Sequence, residues 1–229
     1  MNPAHKYAIK APILKKLLYK NATFVKSPVV KAEVTMDIEK RLNFIGELDK
    51  LKTVLRVNLL TDASRRENTA EHSWHLAMMV ITFHDYAKDP IDLSRALKMA
   101  LVHDIVEIDA GDTYAFDDEG LKDKDAREQA AAERIFSLAP EKLGHELKQI
   151  WHDYEALDCP ESHLVRALDR LNPFLQHFQN GGVTWKKKKM SRSLMMSRLD
   201  DIPRLCPKLA PAFLKRVEIA VKNGWISPD

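Results

Sequence analysis

Apolar residues recur along this chain at three- and four-residue steps, the spacing of one face of an α-helix. Across residues 34–57 the positions Ile38, Leu42, Ile45, Leu48, Leu51 and Leu55 form such a stripe and predict one amphipathic helix. Residues 58–68 are polar and predict a loop. Thr69 reads as the N-cap of a helix that passes Trp74, Leu76, Met79, Val80 and Phe83 to about Ala87 and ends before Asp89-Pro90. Asp92 or Ser94 caps the next helix, expected to continue unbroken to Gly111, a residue suited to the position after a helix. Further helices are expected at about 126–139, 141–157, 161–179, 190–200 and 207–223. Pro173 should kink the third of these, because it removes a backbone donor. Residues 112–125 hold six acids and one glycine and read as an exposed loop. Strand-type alternation persists nowhere and no internal repeat is found, so the expected fold class is all-α, a compact multi-helix bundle.

The stretch from Lys98 to Asp112 departs from simple core patterning. It begins apolar, then sets His103 beside Asp104, with Glu107, Asp109, Gly111 and Asp112 following. Ionisable groups among core residues are costly unless paired or bound to metal. Adjacent helical residues point about 100° apart, so both side chains reach one ion only if it lies off the end or edge of their helix. His72 and Asp169, on two other expected helices, are candidate partners. Two imidazoles with two carboxylates suit one divalent transition metal (Mn, Co, Fe, Ni or Zn) better than Ca or Mg. His75, one turn from His72, and His84, His145, His152, His163 and His177 read as solvent-facing or carbonyl-bonded histidines.

Longer words surround these residues. Leu51-Lys52 leads to Arg56, and Arg66-Glu67-Asn68-Thr69-Ala70-Glu71-His72 follows. Ala100-Leu101-Val102-His103-Asp104-Ile105-Val106-Glu107, Gly111-Asp112 and Trp151-His152-Asp153-Tyr154-Glu155 precede Asp169. Over residues 45–180 this resembles the HD-domain phosphohydrolase superfamily, most nearly its 5′-deoxynucleotidase branch and related bacterial HD hydrolases. The resemblance implies a helical fold with one divalent metal on His72, His103, Asp104 and Asp169. It also implies metal-assisted hydrolysis of a (deoxy)nucleoside 5′-monophosphate by water. Glu107 is the expected general base, its alternative being support of the His103 ring. Asp112 is expected to protonate the leaving oxygen or contact the sugar, or else to cap the next segment. Arg56 matches the family's phosphate-contacting arginine, with Arg66 a second candidate alongside Arg65. Val57 departs from the pattern, since nucleotidases carry a tryptophan there beside the sugar. Other readings are an HD hydrolase of another nucleotide or phosphorylated metabolite, and a non-catalytic nucleotide-binding HD module.

Composition narrows this little. Of 229 residues, 45% are hydrophobic and 30% charged, as in ordinary globular chains. Residues 1–32 carry seven lysines and no acid, leaving 29 basic against 33 acidic side chains in the remainder. The expected organisation is a basic extension over 1–32, an HD core over 33–182 and C-terminal helices over 183–229 that pack on it. Within the extension, residues 11–19 have a helical pattern and 26–32 read as a linker. Charge without aromatic interleaving makes nucleic acid an unlikely partner. No apolar run reaches the roughly 20 residues of a membrane span. Two cysteines fit a cytoplasmic chain without a disulfide framework. A homodimer is a further expectation from the family.

Overall fold

The computed structural model describes residues 28–229, with side chains from residue 33. The helical pattern at 11–19 lies outside the described residues. Helix α1 (Pro28–Leu48) begins inside the expected linker and stops nine residues before the expected end. A 3-10 turn (Asp49–Thr53) follows, then a strand, β1 (Leu55–Leu59). Val54, β-branched and extended at φ −77°, ψ 116°, makes that change of direction. The predicted loop therefore contains half of a hairpin. β2 (Arg66–Asn68) pairs antiparallel with β1, Leu55 opposite Asn68 and Leu59 opposite Arg66, with an irregularity between. Its turn is closed by the Leu60 N–H donating to the Arg65 carbonyl at 3.0 Å.

Helix α2 (Thr69–Phe83) is capped by Asn68 rather than Thr69. The Asn68 side chain accepts from the Glu71 N–H at 3.0 Å, and Glu71 accepts from the Asn68 N–H at 3.1 Å. This reciprocal box satisfies two donors and fixes where the helix starts. Asp92 does cap α3 (Leu93–Val102), accepting from the Ser94 and Arg95 N–H groups. The helix expected to reach Gly111 instead breaks after Val102. Residues 103–106 form a turn, and the four-residue α4 (Glu107–Ala110) ends at Gly111, whose φ of 74° suits glycine. The apolar spacing runs on through the break, which is why periodicity did not mark it.

Beyond the acidic loop lie α5 (Lys124–Ser137), α6 (Glu141–Ala156) and α7 (Pro160–Gln179). Pro173 sits within α7 without splitting it. It has no N–H to offer the carbonyl of Asp169, four residues earlier. The C-terminal part holds α8 (Val183–Lys187), then α9 (Arg192–Leu199), α10 (Asp201–Leu205) and α11 (Ala210–Lys222).

Helices α2, α3 and α7 pack on one another around Leu76, Val80, Met99, Leu164 and Leu168, all essentially without exposure. Helix α10 lies against α7, and Trp185, Met195 and Phe213 extend the same core. At the α5–α6 corner Gly144 lets the Phe136 carbonyl approach so closely that a Cβ would lie 2.3 Å from it. Of the predicted stripe on α1, only Leu48 at its end packs against this core. Ile38, Leu42 and Ile45 are about half exposed or more, and Phe44 is the buried residue among the described side chains of that helix.

Candidate metal centre and adjoining cavity

Three elements bring their side chains to one point: the turn after α3, with His103 and Asp104, the first turn or so of α2, with His72, and mid-α7, with Asp169. The ligand atoms of His72, His103 and Asp104 lie within 4.8 Å of one another. His72 Nε2 is 3.0 Å from Asp169 Oδ1 and 3.7 Å from Asp104 Oδ2. His103 Nε2 is 3.1 Å from Asp104 Oδ2 and 3.8 Å from Asp169 Oδ1. The break after Val102 makes this possible, because it frees adjacent residues 103 and 104 from their 100° divergence on a continuous helix.

These separations suit a shared divalent ion. Ligand atoms about 2.1 Å from one centre lie about 3.0–3.4 Å apart at octahedral to tetrahedral angles. The protein alone also leaves His103 Nε2 buried without a hydrogen-bond partner. Its other nitrogen, Nδ1, is 3.0 Å from the Ala100 carbonyl, so Nδ1–H donates there and the Nε2 lone pair faces the cluster. Burial opposes charge on His103, but Asp104 and Asp169 outweigh it and raise the pKa to about 10. Asp104, despite its burial, is held well below the carboxylate range by His103 and Arg56, and Asp169 by both histidines.

A second layer orients these groups. Asn172 lies with Nδ2 3.1 Å from His72 Nδ1, while its Oδ1 is buried and unpartnered. Turned about, that amide accepts from Nδ1–H and leaves the His72 Nε2 lone pair for the centre. The Tyr154 hydroxyl donates to Asp169 Oδ2 at 2.9 Å, and its ring meets His103 edge-on at 5.0 Å. The Thr69 hydroxyl donates to Glu107 Oε2 at 2.8 Å. The His103 ring is held at Nδ1 by the Ala100 carbonyl, while the bond given to Glu107 comes from Thr69. Burial and the neighbouring Asp104 charge push the Glu107 carboxyl well above the ordinary range, with Arg56 opposing. Asp112 is also raised, chiefly by burial, Arg56 again opposing.

Arg56 projects from β1 into this acidic ring. Its Nη1 is 2.9 Å from Asp104 Oδ2, 3.4 Å from Asp112 Oδ1 and 3.9 Å from Glu107 Oε1, and its Nε is buried without a hydrogen bond. A buried clamp holds the strand: Asn58 Nδ2 donates to Glu67 Oε2 at 2.8 Å, and Gln176 on α7 bonds both. Arg66 is placed elsewhere. Its guanidinium donates to the Arg56 and Leu55 carbonyls across the hairpin and lines neither cavity. The hairpin points alternate residues to opposite sides, so only Arg56 reaches the centre. Arg65 pairs with Glu71 on the surface.

Two cavities meet here. A polar cleft is lined by His103, Asp104 and Asp169 together with Lys124, Arg166 and Arg170. The second runs from Arg56, Asp112 and Asp169 to an apolar end walled by Phe116, Phe174 and Trp185. Sequence reasoning missed Tyr154, Asn172 and Thr69 as supports, and His177 as a cavity residue. Tyr154 and Thr69 stood in quoted motif words; nothing marked Asn172 or His177 for these places, which only the tertiary fold assembles.

The helical scaffold and the histidine–aspartate cluster define a protein of the HD-domain family, and this chain belongs to it: the HD-domain profile matches residues 48–209. The human 5′-deoxynucleotidase HDDC2 is 32% identical over 136 residues, which are 59% of this chain and 65% of that protein. The chain thus spans about two thirds of the length of the curated relatives it matches. The fission-yeast (Schizosaccharomyces pombe) 5′-deoxynucleotidase hdd1 is 25% identical over 73% of this chain and 92% of its own length. A crystal structure of a "predicted metal-dependent phosphohydrolase" from Magnetospirillum magnetotacticum superposes with a TM-score of 0.80 at 41% identity, covering 84% of this chain and 96% of that one. A divalent metal is implied by that description and by the family. No helix among the described residues is long and apolar enough to cross a membrane.

Proposed function

We propose that this chain is a metal-dependent phosphohydrolase that cleaves the phosphomonoester of a (deoxy)nucleoside 5′-monophosphate. The carrying observation is the convergence of His72, His103, Asp104 and Asp169 beside Arg56, which reaches Asp104 and Asp112, at the junction of a polar cleft and an apolar cavity. The names of the 5′-deoxynucleotidase relatives and of the phosphohydrolase structure support the same reading.

In this reading the four residues hold one divalent transition ion, Mn, Co, Fe, Ni or Zn, which supplies an activated water and positive charge for the phosphate. Arg56 binds the phosphoryl oxygens, exchanging its carboxylate contacts for theirs. Glu107, raised in pKa and steadied by Thr69, takes the proton of the attacking water. As the bond between phosphorus and the 5′-oxygen breaks, Asp112 gives its proton to that oxygen, a task for which a raised carboxyl is suited. The products are inorganic phosphate and a nucleoside. Arg66 keeps a supporting place, bracing the strand that presents Arg56.

The organisation that goes with this reading is a basic extension (1–32), an HD core (33–182) and C-terminal helices (183–229). A cytoplasmic location is supported by the free thiols of Cys159 and Cys206. A homodimer is supported by two exposed apolar rows, Ile38, Leu42 and Ile45 on α1 and Trp74, Met78 and Ile81 on α2.

The test is phosphate release from ribo- and deoxynucleoside mono-, di- and triphosphates with several divalent metals. Monophosphates should be preferred, and His103→Ala and Asp104→Ala should lose both metal binding and turnover with helical content kept. Undiminished hydrolysis by both variants would sink the metal assignment, and a flat panel the nucleotidase assignment.

A further inference from the structure

Helix α7 does more than carry Asp169. Asp169, Pro173 and His177, each four residues apart, form one stripe, and all three line the second, apolar-ended cavity. From Asp169 to His177 the helix rises about 12 Å, comparable to the reach of a mononucleotide from phosphorus to the far edge of its base. His177 is 4% exposed, and its Nδ1 is buried with no hydrogen-bond partner. Tyr114 lines the same cavity, and its hydroxyl is likewise buried and unpartnered. Phe116, Phe174 and Trp185 line it too, the Trp185 ring lying 5.6 Å from the His177 ring. Buried polar atoms are ordinarily satisfied. Two unsatisfied ones on residues of one aromatic-walled cavity point to a ligand with both a flat apolar face and a hydrogen-bonding edge.

We propose that this end of the cavity is a base-reading subsite, in which neutral His177 and the Tyr114 hydroxyl hydrogen-bond the edge of a planar heterocycle packed among the three aromatic side chains. The proposal rests on the nucleotide reading above and adds to it that this chain discriminates among bases. Burial keeps His177 down at about 4, so near neutrality it offers one donor and one acceptor and carries no charge to attract phosphate into the wrong end. A site that hydrogen-bonds a ligand group selects strongly against ligands lacking it, because its own buried groups are then left unpaired.

The experiment compares wild type, His177→Leu and His177→Gln on the four deoxynucleoside 5′-monophosphates and on ribose 5-phosphate, which has phosphate and sugar but no base. In wild type kcat/KM should differ among the bases. The ratio of kcat/KM on the best nucleotide to that on ribose 5-phosphate should fall about five- to tenfold in His177→Leu, the worth of one neutral hydrogen bond. His177→Gln, which restores a donor and an acceptor, should recover part of it. An unchanged ratio in a folded His177→Leu protein overturns the proposal. Binding is read separately by 15N NMR of histidine-labelled protein titrated with unphosphorylated deoxynucleosides. Shifts of the His177 ring nitrogens support the subsite, and their absence at millimolar nucleoside overturns it. A wild type that releases no phosphate but shows these shifts would sink the phosphatase reading alone. Turnover of nucleotides with a constant ratio and no shifts would sink the subsite alone.

Discussion

Replacing Tyr154 with phenylalanine removes one oxygen atom from the support of the metal centre. The ring stays, with its edge against His103 at 5.0 Å and the Arg166 guanidinium over its face at 4.2 Å. What is lost is the 2.9 Å hydrogen bond to Asp169 Oδ2. The acceptor is ionised and buried, and its other oxygen is turned toward His72. A hydrogen bond to a charged group is worth about 1.5–3 kcal/mol. Two quantities should register this. Loss of about 2 kcal/mol should lower the melting temperature of the metal-free protein by about 4–8 °C, given 2–4 °C per kcal/mol for a domain of this size. The metal dissociation constant should rise about 10–100-fold, the usual cost of losing a partner that orients a ligand. Calorimetric titration of Mn2+ into metal-free wild type and Tyr154→Phe, with thermal melts of both, measures the pair. Tyr114→Phe, altering a tyrosine in the adjoining cavity, serves as control and should leave metal affinity unchanged. A lowered melting temperature with unaltered metal affinity would show that the hydroxyl only packs the fold, refuting its role in presenting Asp169.

Other changes have equally definite outcomes. Glu107→Gln keeps a side chain for Thr69 to bond but removes the base, so kcat should fall about 10²–10⁴-fold with metal binding retained; near-normal turnover would reassign Glu107 to support. Because Arg56 lowers the Glu107 pKa, the acid limb of the wild-type pH–rate profile should move to higher pH in Arg56→Met, as well as phosphate affinity weakening. His177 has its pKa depressed from 6.5 to about 4, so the unfolded chain binds the extra proton first and stability is lost as pH falls through that window. Urea melts at pH 7 and pH 5 should show about 2 kcal/mol less contribution from this residue at the lower pH, a difference absent in His177→Leu. Gly144→Ala sets a Cβ against the Phe136 carbonyl and should cost about 1–3 kcal/mol in the same melts, without altering the ratio of nucleotide to ribose 5-phosphate turnover.

The cluster of His72, His103, Asp104 and Asp169 was legible because each residue is chemically conspicuous among apolar neighbours, and because the flanking words named a family. Helices with a buried face were equally legible. Failures cluster where local signals compete. The stripe through Ile38, Leu42 and Ile45 has proper helical spacing, yet that face of α1 meets solvent, since periodicity reports a face and not what covers it. The hairpin of Leu55–Leu59 with Arg66–Asn68 is too short for alternation to stand out, and its clamp depends on Gln176, more than a hundred residues away. Thr69 was chosen as a cap from its type, but Asn68 fits better because Glu71 then stands at the third position. His177 was indistinguishable from a surface histidine until α7 and the C-terminal helices enclosed it. Arg66 carries the same charge as Arg56 and lies in the same family word. Only strand register separates the arginine that reaches the centre from the one that braces the hairpin.

The two cavities share only Arg56, Asp112, Thr113, Asp169 and Arg170. The groups proposed to bind phosphate and move protons lie on one side of that boundary or on it, while Val57, Phe116, His177, Trp185 and Leu199 lie wholly on the other. Substitutions at those five can therefore be selected for a new leaving group without disturbing the bond-breaking groups. Descendants of this scaffold are free to exchange substrates by remodelling one wall, and the same division marks where an engineer should build a library.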